Sequence, residues 1–191
     1  MLDRLKPGEA VEVLRRLLAS HPDLGDEAER TARAVLGAVT FEDIANDVED
    51  ALRAPDLDDL HGRAGRQEWG YVEPGEAAWE ILGEAVQPFL DDIERQIELG
   101  LEVEALEICK GVLLGLYRVE HGQKEGILEY ADDFPMEVAG GAVQTWWTAG
   151  RAKGSAGAGA RRNRPAFPQQ FVDRFVPEWR DTIARALSRR K

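Results

Sequence analysis

Residues 101–121 read LEVEALEICKGVLLGLYRVEH, from Leu101 to His121, and this stretch decides the fold. It holds no proline and no run of β-branched residues, so nothing in it opposes a helix. Leu106, Cys109, Leu113 and Leu116 fall at spacings of three and four and share one helical face. Ala105, Ile108, Val112 and Val119 form a second apolar face beside it. A surface helix has one such stripe, whereas a helix apolar on two sides is covered on two sides. Gly111 and Gly115 lie one turn apart on one face and cost roughly 1 kcal/mol each relative to alanine. That cost fits a neighbouring backbone approaching closely there. The stretch is predicted as the central helix of an all-α domain, with Cys109 as a small buried hydrophobe.

On the N-terminal side, Pro74-Gly75-Glu76 opens a long helix to about Leu99, with Trp79, Leu82, Val86, Phe89, Ile93 and Ile97 as its stripe and a kink expected at Pro88. Gly100 turns the chain into the central helix, which predicts a helical hairpin. Further upstream, Pro7 starts a helix whose stripe is Val11, Leu14, Leu17 and Leu18. Asp26 starts a second helix with Ala32, Val35, Leu36 and Val39 inward, and Thr40 caps a third with Ile44, Val48 and Leu52 as its stripe. Residues 54–74, APDLDDLHGRAGRQEWGYVEP, are less regular, with Asp56 as a cap and Trp69 and Tyr71 as expected anchors. Beyond Gly122, short helices are predicted over 123–131, with Ile127 and Tyr130 inward, and over 135–149, with Met136, Ala139, Val143 and Trp146 or Trp147 as contacts.

Residues 151–168, RAKGSAGAGARRNRPAFP, are rich in Gly and Ala, basic and without apolar period, and read as a linker. Phe171, Phe175, Trp179, Ile183 and Leu187 then follow at strict i, i+4 spacing, a final amphipathic helix kinked at Pro177. The domain reading is therefore a helical domain over 1–150, a linker over 151–168 and a C-terminal helix over 169–191. Successive helical hairpins, and the echo of Pro7-Gly8-Glu9-Ala10 in Pro74-Gly75-Glu76-Ala77, suggest a stacked arrangement of the HEAT or tetratricopeptide type.

The 191 residues suffice for a core without disulfide or metal staples, and one cysteine allows no intrachain disulfide. No segment has the ~20 apolar residues of a membrane span, and the first ten residues have no signal-like apolar run, so the expected location is the cytoplasm. The net charge of −12 is uneven: residues 151–191 carry 11 Lys+Arg against 3 Asp+Glu, and residues 1–150 carry 13 against 33. An acidic body with a basic tail docks the tail on itself, on another copy or on an anionic partner.

Sequence motifs for catalysis and cofactors are missing. There is no phosphate loop, the glycines at 157 and 159 follow no strand, and no G-x-S-x-G occurs. Asp56-x-Asp58 begins like a calcium loop, but His61 and Gln67 stand where glycine and glutamate are required. Three scattered histidines and one cysteine lack zinc-ligand spacing. No cofactor and no metal are expected. Asp58, Asp59, His61, Arg63 and Arg66 form the one polar group worth testing as an enzyme or metal-dependent site. Arg161, Arg162 and Arg164 with Phe167 suit phosphate binding, although the acidic body repels nucleic acid. Trp146 and Trp147 point about 100° apart on a helix, so one of them is a candidate partner contact.

Asp56-Leu57-Asp58-Asp59-Leu60, Gly65-Arg66 and Gly70-Tyr71-Val72-Glu73-Pro74-x-Glu76-Ala77-Ala78-Trp79-Glu80, continued by Leu106–Gly111 and Leu114–Tyr117, resemble a segment of uncharacterised bacterial helical proteins. The pattern is similar to the helical region downstream of SWIM zinc fingers and spans residues 1–150. This chain departs from those proteins in having no C-x-C…C-x-H set and hence no zinc finger. The resemblance implies a helical-repeat interaction module and supplies no catalytic residues.

The leading expectation is a non-catalytic helical scaffold that binds another protein or a second copy of itself. Its candidate contacts are Trp146, Trp147, Arg161, Arg162, Arg164, Phe171, Phe175 and Trp179, with homodimerisation through the C-terminal helix as one form of it. The alternatives are a reactive site in the 56–71 loop and nucleic-acid binding through the basic linker.

Overall fold

The computed structural model describes residues 4–68, 70–152 and 166–188. The chain is mostly helical, with nine α-helices, short 3-10 turns and a two-stranded ribbon among the described residues. It divides into two compact units, Met1–Ala38 and Val39–Lys191.

The first unit holds α1 (Pro7–Ser20), a 3-10 turn (Pro22–Leu24) and α2 (Gly25–Leu36). Pro7 occupies the first turn of α1, where its missing N–H costs nothing, and the Lys6 N–H donates to the Glu9 carboxylate at 2.9 Å. His21 leaves the helical region ahead of Pro22, at φ −134° and ψ 74°, and ends the helix. Neither helix has a buried residue. Val35, read from the sequence as inward, is 71 % exposed. α2 stops at Leu36, and Val39 falls in the second unit.

The second unit is built on α6 (Glu102–His121), whose residues from Ala105 to Val119 are buried on both predicted faces. Its neighbours are α3 (Phe41–Arg53), α5 (Pro74–Glu98) and α7 (Phe134–Ala152). The two glycines of α6 meet α3. A Cβ at Gly111 would lie 2.5 Å from Ile44 Cβ, and one at Gly115 would lie 2.7 Å from Val48 Cβ and 2.8 Å from the Ala45 carbonyl. The close backbone approach expected from the sequence is thus the packing of α3 on α6. Gly100, at φ +75°, turns the chain from α5 into α6, and α5 runs through Pro88 without interruption.

Three local expectations need correction. Residues 54–74 form α4 (Leu57–Arg63) and an antiparallel ribbon of β1 (Gly65–Gln67) and β2 (Gly70–Val72), in which Gly65 pairs with Val72 and Arg66 with Tyr71. Strands of three residues are too short to display an alternating pattern. Tyr71 is no anchor, being 65 % exposed on the ribbon, and Trp69 lies outside the described residues. In the 3-10 turn Gly126–Tyr130 the inward residues are Ile127 and Leu128, while Tyr130 is exposed.

The C-terminal helix is the largest correction. It is two helices, α8 (Gln169–Phe175) and α9 (Arg180–Ser188), with a 3-10 turn over Pro177–Trp179 between them. Val176 precedes a proline and leaves the helical region at φ −140°, ψ 51°, which breaks the run where only a kink was expected. Both helices belong to the same compact unit as α3–α7. The divide in the chain falls after Ala38, and residues 169–188 are not a separate body.

Candidate functional site

The aromatic residues expected to meet a partner are mostly in the core. Trp146 and Trp179 are each 1 % exposed, and Phe171 is buried beside them. Phe41 of α3 makes edge-on contacts with Phe171 and Phe175 at centroid distances of 5.4 and 5.3 Å. Tyr117 of α6 meets Trp179 edge-on at 5.2 Å, and the Tyr117 hydroxyl donates to the Glu178 carboxylate. Phe167 sets its edge against Trp146 at 5.5 Å. Such ring pairs add about 0.5–1.5 kcal/mol each to the burial of large apolar surfaces. Phe171, Trp179 and Trp146 are therefore unavailable to a partner, and Phe175 and Trp147, both half-buried, pack against the same core. Arg161, Arg162 and Arg164 lie outside the described residues.

Asp56, Asp59 and Arg63 of the 56–71 loop have structural occupations. Asp56 caps α4, its Oδ1 accepting from the N–H groups of Asp58 at 2.8 Å and Asp59 at 3.0 Å. Asp59 completes the capping box by accepting from the Asp56 N–H at 3.0 Å. Arg63 forks onto Glu84 of α5 with bonds of 2.7 and 2.6 Å. That pair holds the Glu84 carboxyl below the usual carboxylate range and raises the Arg63 guanidinium above its ordinary value. His61 and Arg66 are exposed. A cleft of about 430 Å³ opens between the ribbon and α5, and of the five candidates Arg63 alone lines it. Asp58 borders a different depression, with Arg53 and Glu125. The five do not converge on a common space, and among the described residues no group of three or more His, Cys, Asp or Glu is placed to hold a metal ion.

The sequence reading missed the first unit as a site. Val11, Leu14 and Leu17 of α1 are each about half exposed, with Leu14 at 50 %, and Val35 of α2 is more open still. Five charged side chains of this unit pair within their own helices: Arg15 and Arg16 with Glu12 at 2.9 and 2.8 Å, and Arg33 with Glu29 at 2.8 Å. One signal was available in the sequence. The apolar residues of α2 are mainly Ala28, Ala32 and Ala34, and methyl groups cannot cover the leucines of α1.

No described helix is long and apolar enough to cross a membrane. Comparison with known proteins finds no matching family model, no matching curated protein and no matching solved structure.

Proposed function

We propose that this chain is a non-catalytic helical scaffold, of HEAT or tetratricopeptide character, that serves protein–protein interaction, and that its docking element is the helical pair Pro7–Leu36. The observation that carries this reading is the uncovered stripe of α1, Val11, Leu14 and Leu17, on a unit that buries none of its own side chains. Short helices without tertiary packing are marginal in water, so an amphipathic pair of this kind gains its stability on docking. The similarity of residues 1–150 to helical regions downstream of SWIM zinc fingers points to the same class of role. The basic residues at 161, 162 and 164 remain a candidate second contact for an anionic protein surface.

The test is a photo-crosslinking side chain placed at position 14 of the full chain in cells, with position 94 on the exposed side of α5 as control. The proposal expects a protein adduct from position 14, none from position 94, and loss of the adduct in a Leu17→Glu background. Equal labelling from both positions, or none from position 14, overturns it.

A further inference from the structure

We propose that α8 and α9 are a displaceable cover. They open together while α3, α5, α6 and α7 stay folded, and they bare a seat of Phe41, Tyr117 and Trp146 that takes a helix with aromatic residues four apart. This seat is distinct from the α1 stripe and does not depend on it.

The bundle around α6 closes without the C-terminal pair. α3 fills the notches of α6, where a Cβ at Gly111 would come within 2.5 Å of Ile44 and one at Gly115 within 2.7 Å of Val48. Elsewhere α6 packs on α5 and α7, with Cys109 Sγ 3.8 Å from the Ala142 carbonyl oxygen. The C-terminal pair is seated more loosely. A Cβ at Gly140 of α7 would rest 3.5 Å from Thr182 Cγ2 of α9, an ordinary contact, and one at Gly141 would meet nothing within 4 Å. A cleft of about 320 Å³ lies between the two helices there, bordered by Gln144 and Arg185.

The two helices have seven and nine residues, too short to hold by themselves, so they keep their form while seated. Among the described residues their polar contacts with the bundle converge on Glu178, which accepts from the Tyr117 hydroxyl and lies 3.9 Å from His121 Nε2. The rest of the seat is ring against ring. Phe41, Tyr117, Phe167 and Phe175 are only half-buried even with the pair in place. Residues 153–165 hold no Val, Ile, Leu, Met or aromatic residue, so no further apolar stripe is there to uncover.

The resident defines the occupant. Phe167, Phe171, Phe175 and Trp179 follow at steps of four. They set their rings against Trp146, Phe41 and Tyr117. Apolar burial is non-directional, so another amphipathic helix with rings at that spacing meets the same surface. Trp146, kept from any partner while the pair is seated, becomes reachable on opening. An incoming helix competes with a tethered neighbour, so its binding tightens as the resident is weakened.

Hydrogen exchange of the full chain, read by mass spectrometry, tests the opening. Protection of α8 and α9 is expected to be about tenfold or more below that of α6, with both helices opening in one step. Equal protection of α6, α8 and α9 makes cover and bundle one cooperative unit and overturns the proposal. A labelled peptide of residues 166–188, added to the full chain, tests the seat. Trp179→Ala in the chain is expected to tighten its binding about tenfold or more, with unchanged protection of α6 showing that the bundle is folded. Phe175→Ala, at a half-buried ring, makes the same test if Trp179→Ala unfolds the bundle. A peptide that binds neither variant, or binds both no more tightly than the parent chain, overturns the proposal.

Discussion

Two segments of this chain carry apolar residues at helical spacing and end in opposite surroundings. In α1, Val11, Leu14 and Leu17 stay exposed. In α8 and α9, Phe171, Val172, Ile183 and Ala186 are buried, as is Trp179 in the turn between them. The difference lies in what each stripe finds. The C-terminal rings meet rings from elsewhere in the chain, Phe41 on α3 and Tyr117 on α6, and each pair removes large apolar areas from water. The leucines of α1 have a sequence neighbour, α2, whose apolar residues are three alanines, Val35 and Leu36. An amphipathic stripe thus states a need for cover, and the supply of cover is set by segments far away in sequence.

The comparison breaks most visibly at the core end. Trp179→Ala is expected to destabilise the second unit by about 3–5 kcal/mol, through lost burial and a cavity, and Leu14→Ala to change its stability by less than about 0.5 kcal/mol. Urea unfolding followed by far-ultraviolet circular dichroism measures both. Similar costs for the two substitutions would mean that the α1 stripe is core after all.

Glycines sharpen the same contrast on a smaller scale. Gly115→Ala drives a methyl group into Val48 and the Ala45 carbonyl, and the overpacking of about 1–3 kcal/mol exceeds the gain in helix propensity. Gly141, in the middle of α7, has nothing within 4 Å of an added Cβ, so Gly141→Ala is expected to stabilise by about 0.5–1 kcal/mol. Melting temperatures should move in opposite directions, and a shared direction would contradict the packing of α3 on α6.

The smallest effect concerns pH. Glu84 is held low by its hydrogen bonds from Arg63, and Asp173 by its bonds from Gln169 and then Arg180. A carboxylate whose folded pKa lies below its unfolded value contributes stability above the unfolded value. That contribution is lost as pH falls through the folded one, below about pH 4. Both groups are exposed, so the acid slope they add is shallow. Thermal melts of the parent and of Glu84→Gln between neutral and acid pH should converge on acidification. A constant gap between them would mean that the Arg63–Glu84 fork adds nothing.

Much of the fold was legible because it is written locally. The caps of α3 and α4 at Thr40 and Asp56 belong to this class, since each cap bonds groups within three residues. The ribbon of β1 and β2 was not legible, because three residues are too few to carry a period. The candidate site was less legible than the fold. Asp59 and Arg63 look like a reactive cluster in sequence because polar residue types do not reveal that one completes a cap and the other answers a glutamate 21 residues away.

By itself the sequence determined most of the helical segments, that α6 is covered on two sides and something approaches its glycines, and that an acidic middle separates a balanced N-terminal region from a basic tail. Periodicity, helix propensity and charge are properties of neighbouring residues. Only the tertiary structure decided that α3 is what fills the glycine notches, that the C-terminal stripe closes on Phe41 and Tyr117, and that the stripe of α1 is left open. Burial is settled by competition among all the apolar surfaces of the chain, and that competition is resolved only when distant segments meet.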